Sequence, residues 1–150
     1  MGLAIEQARL AIAARQSPFG SIIVRENQII AAGHNRVWQT CDPTAHAEVT
    51  TIRAGSATLN SIDFSGCILY STCEPCPMCA TAIHWSKFHA IVFGATIADA
   101  AAAGFSELTV PIADLYSQGK SPVRIIPGIR RSECAELFTL WLRTPGTRTY

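Results

Sequence analysis

The segment CILYSTCEPCPMC, residues 67–79, constrains the fold of this chain more than any other. An apolar run of strand length (67–72) stops at three evenly spaced cysteines, Cys73, Cys76 and Cys79, and Pro77 follows the second of them. Proline is pre-organised for the first position of a helix, so Cys76 reads as the N-cap of a helix ending near Ser86. A buried strand that stops in a cysteine turn and restarts as a helix is a unit of an α/β layer. Cys76 and Cys79 stand three apart at that helix start, so both side chains can face one point. The positive end of the helix also favours the thiolate, which is the form that binds metals.

The rest of the chain extends this pattern. Leu3, Leu10, Ala11 and Ala14 predict one stripe of an amphipathic helix over 3–15, which Pro18-Phe19-Gly20 breaks. SIIVR (21–25) and QIIAAGHN (28–35) flank the polar pair Glu26-Asn27, the pattern of a β-hairpin. Asp42 and Pro43 read as N-cap and first residue of a second helix that runs to about Ala54 and ends at Gly55. HAIVFG (89–94) is another buried strand, and VRII (123–126) a last one. Helical segments are expected up to Ala103, near Ile112–Tyr116 and over Ser132–Arg143. Helices alternate with strands, so the fold class is α/β around a mixed sheet. A length of 150 residues fits one domain, with 128–150 as its C-terminal helix and tail.

Composition removes several alternatives. Hydrophobic residues make up 49% and charged residues 15%, which excludes a disordered chain. The formal charge of +1 gives no overall excess for binding a polyanion. Residues 1–119 hold six basic and nine acidic residues, whereas Lys120 to Tyr150 hold six basic and two acidic ones. The apolar region 91–105 carries Thr96, Asp99 and two glycines and is too short to span a bilayer. The opening residues lack the features of a signal peptide. The expected setting is therefore cytoplasmic, with no membrane and with reduced cysteines. Cys41, Cys67 and Cys134 are expected to be packing residues. The segment Asp114–Ser121 nearly matches a phosphate-binding loop, but Asp114 replaces the first glycine.

A second cluster, Thr44-Ala45-His46-Ala47-Glu48, completes the chemistry. His46, Cys76 and Cys79 make three protein ligands. Structural zinc sites usually close with four, whereas catalytic ones leave a position for water. Cys73 as a fourth ligand would leave Glu48 idle, and an iron–sulfur reading lacks the further Cys-Pro. Glu48 would be the base beside the water. Residues i and i+2 of a helix point about 200° apart, so spacing alone does not bring His46 and Glu48 to one face.

His46-Ala47-Glu48 with Pro75-Cys76-Pro77-Met78-Cys79 is the H-x-E and P-C-x-x-C pair of zinc nucleobase deaminases. The chain resembles the cytidine/deoxycytidylate deaminase superfamily. DPTAHAEVTTIR (42–53), CILYSTCEPCPMC (67–79), AIHW (82–85) and DAAAAGF (99–105) are similar to bacterial guanine deaminases within it. The resemblance implies a three-layer cytidine-deaminase-like fold, a mixed five-stranded sheet flanked by helices, in a homodimer converting guanine to xanthine and ammonia. It implies one zinc ion per chain on His46, Cys76 and Cys79, with Glu48 moving protons. Asn35 would hydrogen-bond the base, Phe19 and Trp85 would wall it, and Glu107 would stand where guanine deaminases carry an acidic base contact, commonly aspartate. Tyr150 would end a pocket-closing tail, which such enzymes often exchange between subunits. The alternatives are a tRNA-specific adenosine deaminase and a deaminase of guanosine, cytosine or an aminotriazine. Only two lysines occur in the chain, which argues against a nucleic-acid substrate.

Overall fold

A computed structural model describes residues 1–149. Among the described residues the chain forms a five-stranded sheet and seven helices. In chain order these are α1 (Gly2–Ala13), β1 (Gly20–Arg25), β2 (Gln28–His34), α2 (Val37–Thr40), α3 (Ala47–Leu59), β3 (Ile68–Cys73) and α4 (Pro77–Trp85). They continue as β4 (Ala90–Ala95), α5 (Ile97–Ala102), α6 (Ile112–Gly119), β5 (Arg124–Ile126) and α7 (Arg131–Arg143). Strand order is β2-β1-β3-β4-β5. β1 runs antiparallel to both β2 and β3, whereas β3, β4 and β5 are parallel. The mixed sheet flanked by helices is the expected α/β architecture.

Each element follows from local physics. Glu26 and Asn27 both take positive φ, 50° and 62°, the backbone of the tight hairpin turn that matches strand twist. β4 is buried along its whole length, as a strand covered on both faces must be, and this explains its unbroken apolar run. One core contains Ile5, Ala8 and Ile12 of α1 with Leu137, Phe138 and Trp141 of α7. The other contains Phe64, Leu69, Ala80, Ile83 and Ile91, with Tyr116 of α6. Residues 114–121 are therefore mostly helix, not a phosphate loop. Cys73 and Ala95 pair at the C-terminal ends of two parallel strands. In open α/β sheets, ligands bind in the crevice at those ends. No helix among the described residues is long and apolar enough to cross a membrane.

Four expectations change. The buried face of α1 is Ala4, Ile5, Ala8, Ala11 and Ile12, while Leu3 and Leu10 are exposed. The helix lies so close to β1 that a Cβ on Gly20 would stand 2.2 Å from the Ala4 carbonyl oxygen, and only small side chains fit between them. The second long helix begins at Ala47 and not at Pro43. Asp42 closes a turn instead: its Oδ1 accepts from the Thr44 N–H (2.8 Å) and from Thr44 Oγ1 (2.6 Å). Gly55 does not end this helix. It lies within it, where a Cβ would meet Phe64 Cε1 at 2.8 Å, and Asn60 in the left-handed region forms the C-cap. Finally, Cys41 is exposed at positive φ, after the unforeseen α2, and does not pack in the core.

Candidate active site

His46 is the N-cap of α3, with extended backbone dihedrals, φ −61° and ψ 159°. It therefore lies outside the helical wheel, and the 200° argument does not apply to it. Its ring turns toward the start of α4, while Glu48, inside the first turn of α3, points into the protein. Cys76 is the N-cap of α4 with Pro77 after it, as the sequence implied. His46 Nδ1 lies 3.6 Å from Cys76 Sγ, and the ligand atoms of His46, Cys76 and Cys79 lie within 4.8 Å of one another. A tetrahedral zinc with bonds of about 2.3 Å to sulfur and about 2.0–2.1 Å to nitrogen separates N and S by about 3.6 Å. Donor chemistry and spacing both fit that ion.

The cluster gathers a thiolate and carboxyl groups around one imidazole. The Cys79 thiol and the His46 ring stabilise the Cys76 thiolate, lowering its pKa to about 4 despite burial. The same hydrogen bond from Cys79 to Cys76, with burial, pushes the Cys79 thiol up. Burial pulls the His46 pKa down, but Cys76, Glu48 and Glu107 outweigh it and hold the ring above its ordinary value. Glu48 is 5% exposed. Burial raises its carboxyl pKa, and the neighbouring Cys76 charge adds to that. Ser71 Oγ donates to Glu48 Oε1 at 2.9 Å and fixes the carboxylate.

Two adjoining clefts open at this cluster. The outer one, about 270 Å³, is lined by His46, Cys76, Met78, Phe105, Glu107 and Leu108 among others. That lies just below the roughly 300–1,000 Å³ typical of ligand pockets. The inner recess, about 10 Å³ and so large enough for about one water, is bounded by Phe19, His46, Glu48, Cys73, Glu74, Cys76 and Glu107. Phe19, Glu48 and Glu107 thus meet two of the candidate ligands, His46 and Cys76, in one place. Burial, then the Cys76 charge, raises the Glu107 carboxyl pKa.

Asn35 is fully buried beside Phe19: its backbone N–H donates to the Phe19 carbonyl at 3.0 Å, and its Oδ1 accepts from the Val37 N–H at 3.2 Å. Trp85 is 74% exposed and lines a separate groove with His84, Lys87, Phe88 and Val123. Within one chain it does not reach the clefts. Tyr150 falls outside the described residues. The tail before it packs on the same chain, where the Arg148 carbonyl accepts from Trp38 Nε1 at 3.2 Å and its guanidinium stacks 3.7 Å over the Trp38 ring. Sequence reasoning gave no role to Ser71 or to Glu74, although Glu74 stands inside the cysteine motif; their partners lie 23 to 38 residues away.

Comparison with known proteins agrees with this geometry. Residues 1–95 match the model of the cytidine and deoxycytidylate deaminase zinc-binding region. The chain is 50% identical to the guanine deaminase of Bacillus subtilis over 90 residues, covering 60% of this chain and 58% of that protein. The match therefore spans less than two thirds of that relative. The chain is 33% identical over 149 residues to the tRNA-specific adenosine deaminase of Agrobacterium fabrum, covering 95% of this chain and 91% of that one. A guanine deaminase structure from Nitrosomonas europaea superposes with a TM-score of 0.84 at 30% identity, over 93% of this chain and 81% of that one. With that family model matched over residues 1–95, the chain belongs to the cytidine and deoxycytidylate deaminase family.

Proposed function

We propose that this chain is a zinc-dependent hydrolytic deaminase of a free aminopurine, acting in the cytoplasm on guanine to give xanthine and ammonia. The observation that carries the reading is the inner recess, where a buried carboxylate, Glu48, adjoins a three-ligand His/Cys/Cys set and a second carboxylate, Glu107, faces both. Similarity to guanine deaminases of Bacillus subtilis and Nitrosomonas europaea supports guanine as the base.

The division of labour follows from the side chains. Zinc on His46, Cys76 and Cys79 would lower the pKa of a water from about 15.7 to about 7, making hydroxide accessible at neutral pH. Glu48 takes the proton from the attacking water. Burial raises its affinity for that proton, so Glu48 can hold it and then deliver it. Delivery to a ring nitrogen opens the amine-bearing carbon to attack, and Glu48 then takes the second proton from the newly added hydroxyl and gives it to the amine, which leaves as ammonia. Water supplies the oxygen of the new carbonyl, so guanine plus water becomes xanthine plus ammonia. Ser71 keeps the Glu48 carboxylate aimed through both transfers. Phe19 and Phe105 give apolar walls, and Glu107 offers an acceptor to the N–H groups of the base. The reading also includes a homodimer, for which the exposed Trp85 is a candidate contribution to a partner's surface.

A second reading, deamination of adenosine in tRNA, draws on the near full-length similarity to the Agrobacterium fabrum protein. Against it stands the near balance of twelve Lys and Arg by eleven Asp and Glu, a net charge of +1, since phosphate contacts need an excess of cations. The deciding experiment is ammonia release by zinc-loaded protein from guanine, guanosine, adenine, cytosine, an aminotriazine and a tRNA anticodon stem-loop. Guanine is expected to turn over fastest. Inosine formation in the stem-loop with guanine inert would overturn the first reading in favour of the second.

A further inference from the structure

Glu74 stands in the cysteine motif between Cys73 and Pro75, and the mechanism above gives it no task. Its two carboxylate oxygens serve two different helices. Oε2 accepts from the Ile97 N–H at 3.2 Å and Oε1 from the Ile112 N–H at 3.0 Å. Ile97 is the first residue of α5 and Ile112 the first of α6. The first amides of a helix lack partners within it. α5 has its own capping box, formed by Thr96 and Asp99. The N-cap of α6 is Pro111, which gives no side-chain cap, and Glu74 supplies an acceptor there. Glu74 is itself held to the sheet, since its N–H donates to the Ala95 carbonyl at 2.8 Å.

Between those two helices runs the loop 103–111. Gly104 turns it at φ 94°. Phe105 then buries itself against Phe19, ring centroids 5.1 Å apart, and Glu107 follows two residues later in the clefts. The loop is thus pinned near its start by an aromatic contact and tied on both sides through one carboxylate. We propose that Glu74 is a positioning residue that fixes the 103–111 loop through α5 and α6, so that Glu107 stands over the metal-ligating triad, and that it affects substrate only through Glu107. This rests on the reading of Glu107 as a contact to the base.

The test compares E74A, E74Q, E107A and the double variant E74A/E107A in the zinc-loaded full chain. Losing two hydrogen bonds to a charged acceptor should raise KM for guanine about tenfold or more in E74A, with kcat changed much less and zinc content unaltered. E74Q keeps one accepting oxygen and should fall between E74A and the parent. In the E107A background, adding E74A should leave KM where it is. Amide hydrogen exchange over 105–112 should accelerate in E74A and E74Q. Unchanged KM and unchanged exchange in both variants would overturn the proposal, as would a KM increase that persists in full without Glu107. Should E74A fail to fold, E74Q provides the same readouts. Hydrogen exchange separates this proposal from the substrate reading. An inert parent with guanine refutes the substrate alone, while faster exchange in zinc-retaining E74Q still supports the tether.

Discussion

In the proposed reaction Glu48 would carry the proton transfers while three other side chains hold the metal, so one substitution can separate the two roles. Glu48 lies in the first turn of α3, two residues after the N-cap His46, and receives the Ser71 hydroxyl, while His46, Cys76 and Cys79 are the residues that would hold the metal. Glu48→Gln preserves size and keeps an oxygen for Ser71, but it cannot take up or return a proton. The expected result is unchanged zinc stoichiometry with kcat reduced about 10²–10⁴-fold, the range typical of general acid–base steps. Metal analysis alongside steady-state ammonia release checks it, and near-normal turnover would remove Glu48 from its role. These residues were legible in the sequence because ligand spacing and helix-start chemistry are local. Ser71 and Glu74 were not, since a serine in a strand and a glutamate beside a proline acquire meaning only from partners brought in by the fold.

At the scale of elements, the same boundary between local and non-local signals explains which helices were read correctly. The start of α4 was legible because Cys76-Pro77 is a local cap. The start of α3 was misplaced by four residues because Asp42-Pro43 has the same signature, yet here it closes a turn within the loop that leads to His46. The stripe on α1 failed for a packing reason: close approach to β1 selects alanines for the buried face and turns two leucines outward. α5 shows a helix start whose strength depends on pH. Asp99 accepts from the Thr96 N–H at 2.8 Å and receives both arms of Arg131, at 3.0 and 3.2 Å. Arg131, then the Thr96 contacts, hold its carboxyl below the usual range. A depressed folded-state pKa stabilises above the unfolded value, about 3.9, and that contribution is lost as pH falls through the folded one. Asp99→Asn should therefore cost about 1 kcal/mol at pH 7, with the difference from the parent shrinking below about pH 4. Denaturant melts of both proteins at several pH values measure this, and a pH-independent difference would contradict it.

For the whole molecule, the site is also a fastener. His46 begins α3 and Cys76 begins α4, thirty residues apart in sequence, and the metal would join the two helix starts at the crevice end of the sheet. Without a cation the same place gathers the Cys76 thiolate, Glu48 and Glu107 in partly desolvated surroundings, and each carboxyl has its pKa raised there. Removing the ion thus loses ligand bonds and leaves like charges facing one another. A ligand that binds only the folded state stabilises it by RT ln(1 + [L]/Kd), about 4 kcal/mol when zinc is at a thousand times its Kd. For a domain of this size each kcal/mol moves Tm by about 2–4 °C, so chelation should lower Tm by roughly 10 °C, reversed by added zinc. Glu48→Gln removes one of the repelling groups, so its metal-free form should melt above the metal-free parent even though its turnover is lost. Calorimetry of the four samples, parent and variant with and without chelator, tests both statements together. Equal Tm for loaded and stripped parent, with metal loss verified, would reduce the triad to three residues that the fold holds together without help.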